Sequence, residues 1–333
     1  MKGPSVSIVI VSYNGRAHLA RCLAAALAQQ GPSFEVIVVD NGSSDGSAAF
    51  VRERFPAVRL VALNHNAGFA GGNNRGAAAA AGSWLVFLNN DTEVQPGWLQ
   101  ALVAAAGASE TTGLVTSQIV FLHDPSILDS AGDAVTRAGG AFKRGHGRPT
   151  HHYPAREPVF AACGASFLIS KRLFDECAGF DEDFFLSHED VDLSYRVRLR
   201  GYTCLYEPAS IVRHVGSASL GRTSTLSIFH GQRNLEWLYV KNTPGWVLPV
   251  TLPLHAIYVL AAGVYFTAIG HLPSFLCAKL AALRGLPRMW RKRQAIQAAR
   301  RVPPGAIWRA LERRWIGVKV GEKRFDLGFA ESR

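Results

Sequence analysis

VSIVIVSYN occupies residues 6–14, and EVIVVDNG occupies residues 35–42. Each opens with a run of β-branched residues, which pack well on a pleated surface and favour strands. Between them, residues 15–29 carry apolar side chains at helical spacing. Continuous apolar strands that are joined by a helix are typical of a parallel sheet with helices on both faces.

The alternation of strands and helices continues along the chain. A weaker strand is predicted over residues 58–63, followed by a glycine-rich turn, a helix over residues 72–81 and a strand over residues 84–88. Further strands are predicted over residues 113–121, 159–170, 202–206 and 211–214. The sequence therefore predicts an α/β fold with a mostly parallel central sheet and helices on both faces.

Three of the predicted strands end in polar residues. These endings are Ser12-Tyr13-Asn14, Asp40-Asn41-Gly42 and Asn89-Asn90-Asp91. Any one of them is an ordinary turn sequence. Ligands of open α/β sheets bind beyond the carboxyl ends of the strands, however, so three such endings at one edge favour a binding site. The glycines of residues 64–74 would let backbone approach a ligand there, although their spacing is not that of a dinucleotide-binding GxGxxG motif.

Residues 178–201, AGFDEDFFLSHEDVDLSYRVRLRG, begin as an aromatic loop and continue as a predicted helix from about Glu189 to Arg200. Carboxylates at 189, 190 and 192 crowd its first turn. Acidic residues there complement the helix dipole, which is the simplest explanation for them. The apolar run at 184–186 favours general-base catalysis as well, because apolar walls tune a carboxylate that a helix start holds in place.

Histidines are candidate metal ligands. His146, His151 and His152 lie in a loop without a cysteine partner or regular spacing, so surface positions are predicted for them. His214 ends the last predicted strand, and the residues alone leave a structural role and a metal-binding role equally open.

Composition restricts the class of protein. With 48% hydrophobic and 18% charged residues the chain is globular rather than disordered. The net charge of +11 comes entirely from residues 271–333, which argues against a nucleic-acid surface on the body. The five cysteines form no CxxC pair, so reduced thiols in the cytoplasm are expected, and no signal peptide is expected before the first strand.

Residues 247–270 form an apolar stretch without a formal charge, long enough for a membrane helix of about 20 residues. Pro249 and Pro253 are expected to interrupt it, and basic segments follow it. A single crossing would place those charges away from the catalytic side. We therefore expect an interfacial or re-entrant attachment with lysine and arginine on anionic headgroups; an apolar helix packed on the catalytic domain is the alternative. The predicted division is a catalytic domain at 1–242 and a helical, membrane-associating tail at 243–333.

Seven segments carry a resemblance to a known family. In chain order they are SIVIVSYN at 7–14, VDNGSSD at 39–45, NAGFAGGN at 66–73, LNNDT at 88–92, GA at 164–165, GFDE at 179–182 and EDVDL at 189–193. Together they resemble the family 2 glycosyltransferases of the GT-A fold, most closely the bacterial rhamnosyltransferase-like branch. The resemblance covers about residues 5–242.

The resemblance implies inverting transfer of a sugar from a nucleoside diphosphate to an acceptor hydroxyl. Asp190 would remove the acceptor proton, with Gly164, Ala165 and Glu189 on the acceptor side. The implied donor-side residues are Ser12, Tyr13, Asn14, Asp40, Asn66, Gly68, Asn73, Asn89 and Asn90. Among these, Asp40 would hydrogen-bond the base.

Asp91 and His214 match the positions that would hold Mg²⁺ or Mn²⁺ on the diphosphate in this family. Asn89 stands where many members carry the first aspartate of an Asp-x-Asp motif. An amide bonds a ribose hydroxyl but adds no negative charge, so we expect a lower metal affinity.

The family resemblance alone suggests dTDP-rhamnose as donor, with a UDP-sugar as the alternative, and a lipid-linked or polysaccharide acceptor at the cytoplasmic face of the cell membrane. A non-catalytic scaffold protein would have lost Asp40, Asp91 or Asp190, and none is lost. A nucleotidyltransferase would need a basic phosphate loop, and the glycine-rich run is not one.

Overall fold

The computed structural model describes residues 3–216, 224–314 and 317. The strands are β1 Val6–Ser12, β2 Phe34–Asp40, β3 Arg59–Ala62, β4 Trp84–Asn89, β5 Thr92–Val94, β6 Thr112–Phe121, β7 Leu128–Ser130, β8 Asp133–Val135, β9 Ala141–Lys143, β10 Glu157–Val159, β11 Ser166–Ser170 and β12 Thr203–His214. The α-helices are α1 Arg16–Leu27, α2 Ser47–Arg54, α3 Gly68–Ala79, α4 Trp98–Ala106, α5 Lys171–Glu176, α6 Glu189–Leu199, α7 Thr225–Asn242, α8 Val247–Ala268, α9 Leu272–Ala298 and α10 Pro304–Ala310.

The main sheet has the strand order β10-β12-β6-β11-β4-β1-β2-β3. β1 is parallel to β2 and β4, β2 is parallel to β3, and β6 is parallel to β12. β11 lies between these two groups and is antiparallel to both β4 and β6. The α/β prediction is confirmed, but the sheet is mixed rather than mostly parallel. Between β6 and its neighbour β11 the chain forms four short strands and no α-helix, so the crossover helix that usually joins parallel strands is missing there.

Both faces of the sheet are buried, as the continuous apolar strands predicted. Ile8 and Ile10 of β1 belong to one core cluster, which also contains Leu23 of α1. Val9, which points to the opposite face, packs in a second cluster with Ala77 of α3. After β1 the chain forms β2 on one side and later β4 on the other, so the carboxyl ends of these three strands flank a topological switch point.

The glycine-rich run is not a turn that precedes a helix, as the sequence suggested, because α3 already begins at Gly68. A Cβ on Gly72 would lie 2.7 Å from a Val11 methyl group, and one on Gly76 would lie 2.3 Å from a Val9 methyl group. These glycines let α3 pack directly on β1. Close helix–sheet packing therefore explains Gly72 and Gly76, and approach of the glycine-rich run to a ligand stays a prediction.

Two predicted boundaries differ from the structure. The single strand predicted over residues 159–170 is wrong, because β10 ends at Val159 and β11 begins only at Ser166. Residues 202–206 and 211–214 belong to one strand, β12, whose register shifts between Glu207 and Ile211. The central helix α6 begins at Glu189 as predicted and is followed by Gly201 at φ +94°.

Among the C-terminal helices, α9 packs along α7, and α7 also contacts α6 of the α/β region. α8 is one continuous helix with Pro253 inside it, so the prolines do not interrupt it as expected. Pro249 lies in its first turn, where its missing N–H has no helical partner to lose. The division of the chain at residue 242 stays a prediction.

Part of the basic segment of α9 faces the body rather than open solvent. Arg288 pairs with Asp183 at 2.9 Å, and Lys292 pairs with both Asp183 and Asp181. The expectation that these tail charges lie on lipid headgroups is therefore wrong for Arg288 and Lys292. Their ion pairs attach α9 to the loop that precedes α6.

Candidate active site

The carboxyl ends of β1, β2 and β4 are joined by hydrogen bonds into one edge. Asn14, at φ +49°, donates from its backbone N–H to Ser43 Oγ (2.9 Å), and its Oδ1 accepts from Ser44 N (2.8 Å). Asn90 Nδ2 donates to the buried Ser12 Oγ at 3.0 Å. Tyr13 is 46% exposed above this edge. The structure therefore brings the three polar strand ends together.

Asp40 is buried at the end of β2, and its Oδ1 has no hydrogen-bond donor among the described residues. A buried acceptor without a donor is unfavourable in the free protein and suits a group that receives a ligand's N–H.

The neighbouring Asn41 donates to Asn66 Oδ1 (2.9 Å) and to Gly68 O (3.1 Å). These bonds fix the start of α3 beside the strand ends. Asn73 does not take part in these bonds; its amide donates to Phe69 O within α3.

Asp91 and His214 meet at the end of β4 and β12. His214 Nε2 lies 3.2 Å from Asp91 Oδ1, and its Nδ1 lies 2.8 Å from Asp129 Oδ2. Burial lowers the pKa of His214, but the two carboxylates outweigh burial and raise it to about 9. In the absence of a ligand, the His214 imidazolium is thus shared between two buried carboxylates.

The residues at this point fit a divalent cation. Asp129 fixes the ring through Nδ1, so that Nε2 faces Asp91, and carboxylates commonly orient metal-binding histidines in this way. No group of three or more His, Cys, Asp or Glu suited to a metal occurs in the described part of the chain. Asp91 and His214 would therefore supply two ligands, one oxygen and one nitrogen.

His146 is not a surface residue, contrary to the prediction. Its side chain is 4% exposed, and its Nδ1 lies 2.8 Å from the Asp129 carbonyl oxygen. Lys143 Nζ also pairs with Asp129, at 2.8 Å. His151 and His152 are exposed, as predicted. Sequence reasoning missed Asp129, because 85 residues separate it from His214.

Two backbone N–H groups hold Asp190 at the start of α6. Its Oδ2 accepts from Gly164 N at 2.6 Å, and its Oδ1 accepts from Val191 N at 2.8 Å. A Cβ on Gly164 would lie 2.8 Å from that Oδ2, so only glycine allows this approach. Burial raises the pKa of Asp190 although both N–H groups act against it.

Two further carboxyls lie near Asp190. Burial and the neighbouring Asp190 raise the pKa of Glu189 well above its ordinary value, and Glu189 Oε2 has no donor among the described residues. The same two causes raise the pKa of Asp133, which sequence reasoning missed. Ala165 O accepts from Asn89 N at 3.0 Å, which joins the Asp190 side of the site to the end of β4. Backbone hydrogen bonds thus connect the buried carboxyl of Asp190 to the strand edge through residues 164–165 and Asn89.

Known proteins resemble this chain in sequence. Residues 7–177 match the sequence profile of Glycosyl transferase family 2. An N-acetylglucosaminyl-diphospho-decaprenol L-rhamnosyltransferase of Mycobacterium tuberculosis is 29% identical over 278 residues, covering 76% of this chain and 90% of the relative. The succinoglycan biosynthesis protein ExoO of Rhizobium meliloti is 30% identical over 235 residues, covering 68% and 65%. The family resemblance that the motifs predicted is confirmed.

Solved structures share the fold at low identity. The S. aureus TarS 1–349 structure in complex with UDP-GlcNAc superposes with a TM-score of 0.55 and 16% identity, over 89% of this chain and 87% of TarS. GalNAc-T7 with UDP, GalNAc and Mn²⁺ gives a TM-score of 0.59 and 19% identity, over 72% and 48%. This likeness confirms the α/β fold of GT-A type.

Proposed function

The chain belongs to glycosyl transferase family 2, and we propose that it transfers a sugar from a nucleoside diphosphate to an acceptor hydroxyl with inversion. One observation carries the proposal: Asp40 has an unpartnered buried oxygen at the end of β2, and Asp190 is held by Gly164, whose neighbour Ala165 bonds to the end of β4, two strands away in the same sheet. The Asp40 oxygen suits recognition of a nucleobase N–H. The Asp190 carboxylate suits removal of a proton from the acceptor hydroxyl.

The donor half of the site is the edge formed by β1, β2 and β4. Asp40 would accept from the nucleobase, and residues 12–14 would frame the nucleoside next to it. Asn89 is the last residue of β4, and Asn90 lies between it and Asp91 in the chain. Asn66 and Gly68 would act through the fixed start of α3, where Asn41 already holds them.

Asp91 and His214 would hold Mg²⁺ or Mn²⁺ at the diphosphate. The bound cation would neutralise charge that develops on the departing diphosphate. Asp91 Oδ1 and His214 Nε2 lie 3.2 Å apart and form an ion pair with each other. Release of the imidazolium proton would make Nε2 available as a ligand, so the site would bind metal more weakly as the pH falls.

On the acceptor half, Asp190 would accept the hydroxyl proton while the oxygen attacks the anomeric carbon from the face opposite the diphosphate. Burial raises the pKa of Asp190, which makes the carboxylate a stronger base than an exposed aspartate. The two backbone N–H groups hold it in place, and Gly164 leaves the space that it needs.

The donor and acceptor are proposed from the relatives. The M. tuberculosis relative is named for rhamnose transfer to a diphospho-decaprenol-linked N-acetylglucosamine, and the R. meliloti relative for succinoglycan synthesis. We accordingly propose dTDP-rhamnose as the first donor to test and a UDP-sugar as the second. The acceptor would be a lipid-linked or polysaccharide sugar in cell-envelope glycan synthesis.

Donor binding is tested by thermal unfolding of the full chain with dTDP, dTDP-rhamnose, UDP and UDP-GlcNAc, each with and without Mn²⁺. A ligand at 100 times its dissociation constant stabilises the folded state by about 2.7 kcal/mol. We expect a metal-dependent rise in Tm with one nucleotide class, and a smaller rise in the Asp40→Asn variant. Equal Tm values with every nucleotide would contradict the proposal.

We also propose that α8 and the first half of α9 lie on the cytoplasmic face of the cell membrane. Ten of the twelve exposed large apolar side chains in the described residues lie between Trp246 and Trp290. α8 is long and apolar enough to cross a membrane, and 17% of its most apolar window is buried in the protein. Arg284, Arg291, Arg301 and Arg309 are exposed, and residues 237–311 contain no acidic residue, which favours an anionic surface.

Membrane attachment is tested by sedimentation with vesicles of phosphatidylcholine alone or with added phosphatidylglycerol. We expect binding that increases with the anionic lipid and falls at high salt. A Leu260→Gln/Val264→Gln double variant should bind less, since these side chains are 71% and 73% exposed on α8. If the same amount of wild-type protein were found in the pellet with and without vesicles, attachment would be contradicted.

A further inference from the structure

The loop between Phe184 and the start of α6 has an unusual backbone. Phe185 has φ +63° and ψ −61°, and Leu186 N donates to Phe184 O at 2.7 Å. These values define a γ-turn of the rare, strained kind. Ser187 and His188 follow at φ +71° and +70°. Three of these residues thus hold a left-handed backbone that side chains disfavour, directly before Glu189 and Asp190.

Asn234 of α7 holds this loop in place. It is fully buried, and its Nδ2 lies 2.8 Å from each of three carbonyl oxygens, those of Phe184, Leu186 and Ser187. Only the amide NH₂ can meet carbonyl oxygens, so the orientation of the Asn234 amide is set by its surroundings. Backbone strain persists only where neighbouring groups determine it, and Asn234 provides that constraint.

The preceding residue of α7, Arg233, also bonds to this loop. Arg233 donates to the carbonyl oxygens of Asp183 (3.0 Å) and Phe184 (3.1 Å), and its Nε donates to Asn234 Oδ1 at 3.0 Å. Its guanidinium also lies 4.3 Å from the centre of the Trp237 ring. Arg233 therefore holds the amide of Asn234 as well as the loop.

The strained loop contacts the donor half of the site at its other side. Phe185 O accepts from Ala70 N at 3.3 Å, in the first turn of α3. A Cβ on Gly68 would lie 2.4 Å from that same oxygen, so the two segments are in close contact. One backbone path thus runs from the start of α3, through the γ-turn, to Asp190.

We propose that Asn234 is a positioning residue, which holds the strained loop so that Asp190 lies at the reacting hydroxyl. It acts through the loop backbone and does not itself touch a substrate. The role rests on the proposed function, because it assigns the base to Asp190. When Asn234 is lost, the γ-turn is expected to relax and the start of α6 to move with it.

The test compares wild type, Asn234→Ala and Asn234→Ser, which keeps one donor. We expect Asn234→Ala to lower kcat by about 10²-fold through displacement of the base, with little change in the KM of the donor. Asn234→Ser should recover part of kcat. Hydrogen–deuterium exchange of residues 185–190 should accelerate in the order wild type, Ser, Ala. The assay follows nucleoside diphosphate release from dTDP-rhamnose or UDP-GlcNAc with N-acetylglucosaminyl-diphospho-polyprenol.

The pH profile provides a readout that general destabilisation does not move. A relaxed loop would expose Asp190 to water, so the acidic limb of kcat should shift to lower pH in Asn234→Ala. The titratable groups around Asp190 are Glu189 on α6, Asp133 on β8, Lys143 on β9 and the Cys163 thiol. All of them are present in both proteins.

Gln29→Ala is the matched control. Gln29 is a buried amide with three backbone partners, Ala25 O, Gln95 O and Leu99 N, away from the loop. It should lower Tm and leave kcat, its pH profile and the exchange of residues 185–190 unchanged. Wild-type kcat and exchange in Asn234→Ala, or a loss of stability alone, would overturn the inference. Inactive wild type with every donor would instead overturn the proposed function, while the exchange data would still decide whether Asn234 holds the loop.

Discussion

Asp190→Asn is expected to lower kcat by about 10²–10⁴-fold, the range that a positioned general base contributes. The amide has the size of the carboxylate but cannot accept the hydroxyl proton at neutral pH. Donor affinity should change little, since Asp190 lies at Gly164 and Val191 rather than at the Asp40 edge. Release of nucleoside diphosphate measures the rate, and the rise of Tm with the donor measures binding.

The matched control for this variant is Asp175→Asn, which changes an aspartate on the short helix α5. Its turnover should equal that of wild type. Turnover retained by Asp190→Asn would show that another group takes the proton, and the neighbouring Glu189 would be the first residue to examine. Loss of donor binding together with turnover would place Asp190 in the donor half.

Lys241→Met is expected to destabilise the protein by about 3 kcal/mol, near the lower end of the cost of breaking a buried ion pair. Lys241 is 1% exposed, and its Nζ lies 2.5 Å from Asp181 Oδ2 and 2.8 Å from Asp192 Oδ1. Without it, two buried carboxylates lose a cation, although Lys292 and Arg196 remain beside them. Chemical denaturation at pH 7 measures the loss.

The pH dependence of this effect follows from Asp181. Burial acts to raise its pKa, but Lys241 and Lys292 outweigh burial and hold the pKa well below its ordinary value. A carboxyl with a lowered folded-state pKa contributes stability above its unfolded pKa of about 3.9, and that stability is lost as the pH falls further. The difference between wild type and Lys241→Met should therefore shrink below pH 4.

A surface ion pair serves as the control for Lys241. Arg172 and Glu176 pair at 2.7 Å on α5, and the Arg172 side chain is 71% exposed. Arg172→Met should change the free energy of unfolding by about 0.5 kcal/mol or less. Equal losses for Lys241→Met and Arg172→Met would contradict the view that the buried network around α6 stabilises the fold.

The sequence predicted those parts of the site that follow local rules. The β-branched runs predicted β1, β2 and β4. Their polar endings predicted the strand edge that we propose for the donor, because parallel strands end together. α6 was visible from its acidic first turn and from Gly201. For the same reason, the position of Asp190 at a helix start could be predicted, and the structure places it there.

What the sequence did not reveal depends on contacts between distant segments. Asp129 reaches His214, and His146 reaches Asp129, only because β7 pairs with β6 and the loop after β9 folds back onto β7. β11 lies antiparallel inside the sheet, which no local pattern specifies. Asn234 is an ordinary helical residue in the sequence, and its function becomes apparent only when α7 packs beside the γ-turn.

The most direct test of the account is the identity of the phosphate product that the wild-type protein releases from a nucleotide sugar with Mn²⁺ and a lipid-linked acceptor. Sugar transfer predicts one nucleoside diphosphate for each glycosylated acceptor, with inverted configuration at the anomeric carbon. Release of a sugar 1-phosphate, with the nucleoside monophosphate joined to the acceptor, would indicate nucleotidyl transfer. No product from any donor, with well-folded protein, would contradict an enzymatic function and favour a binding protein that keeps the fold.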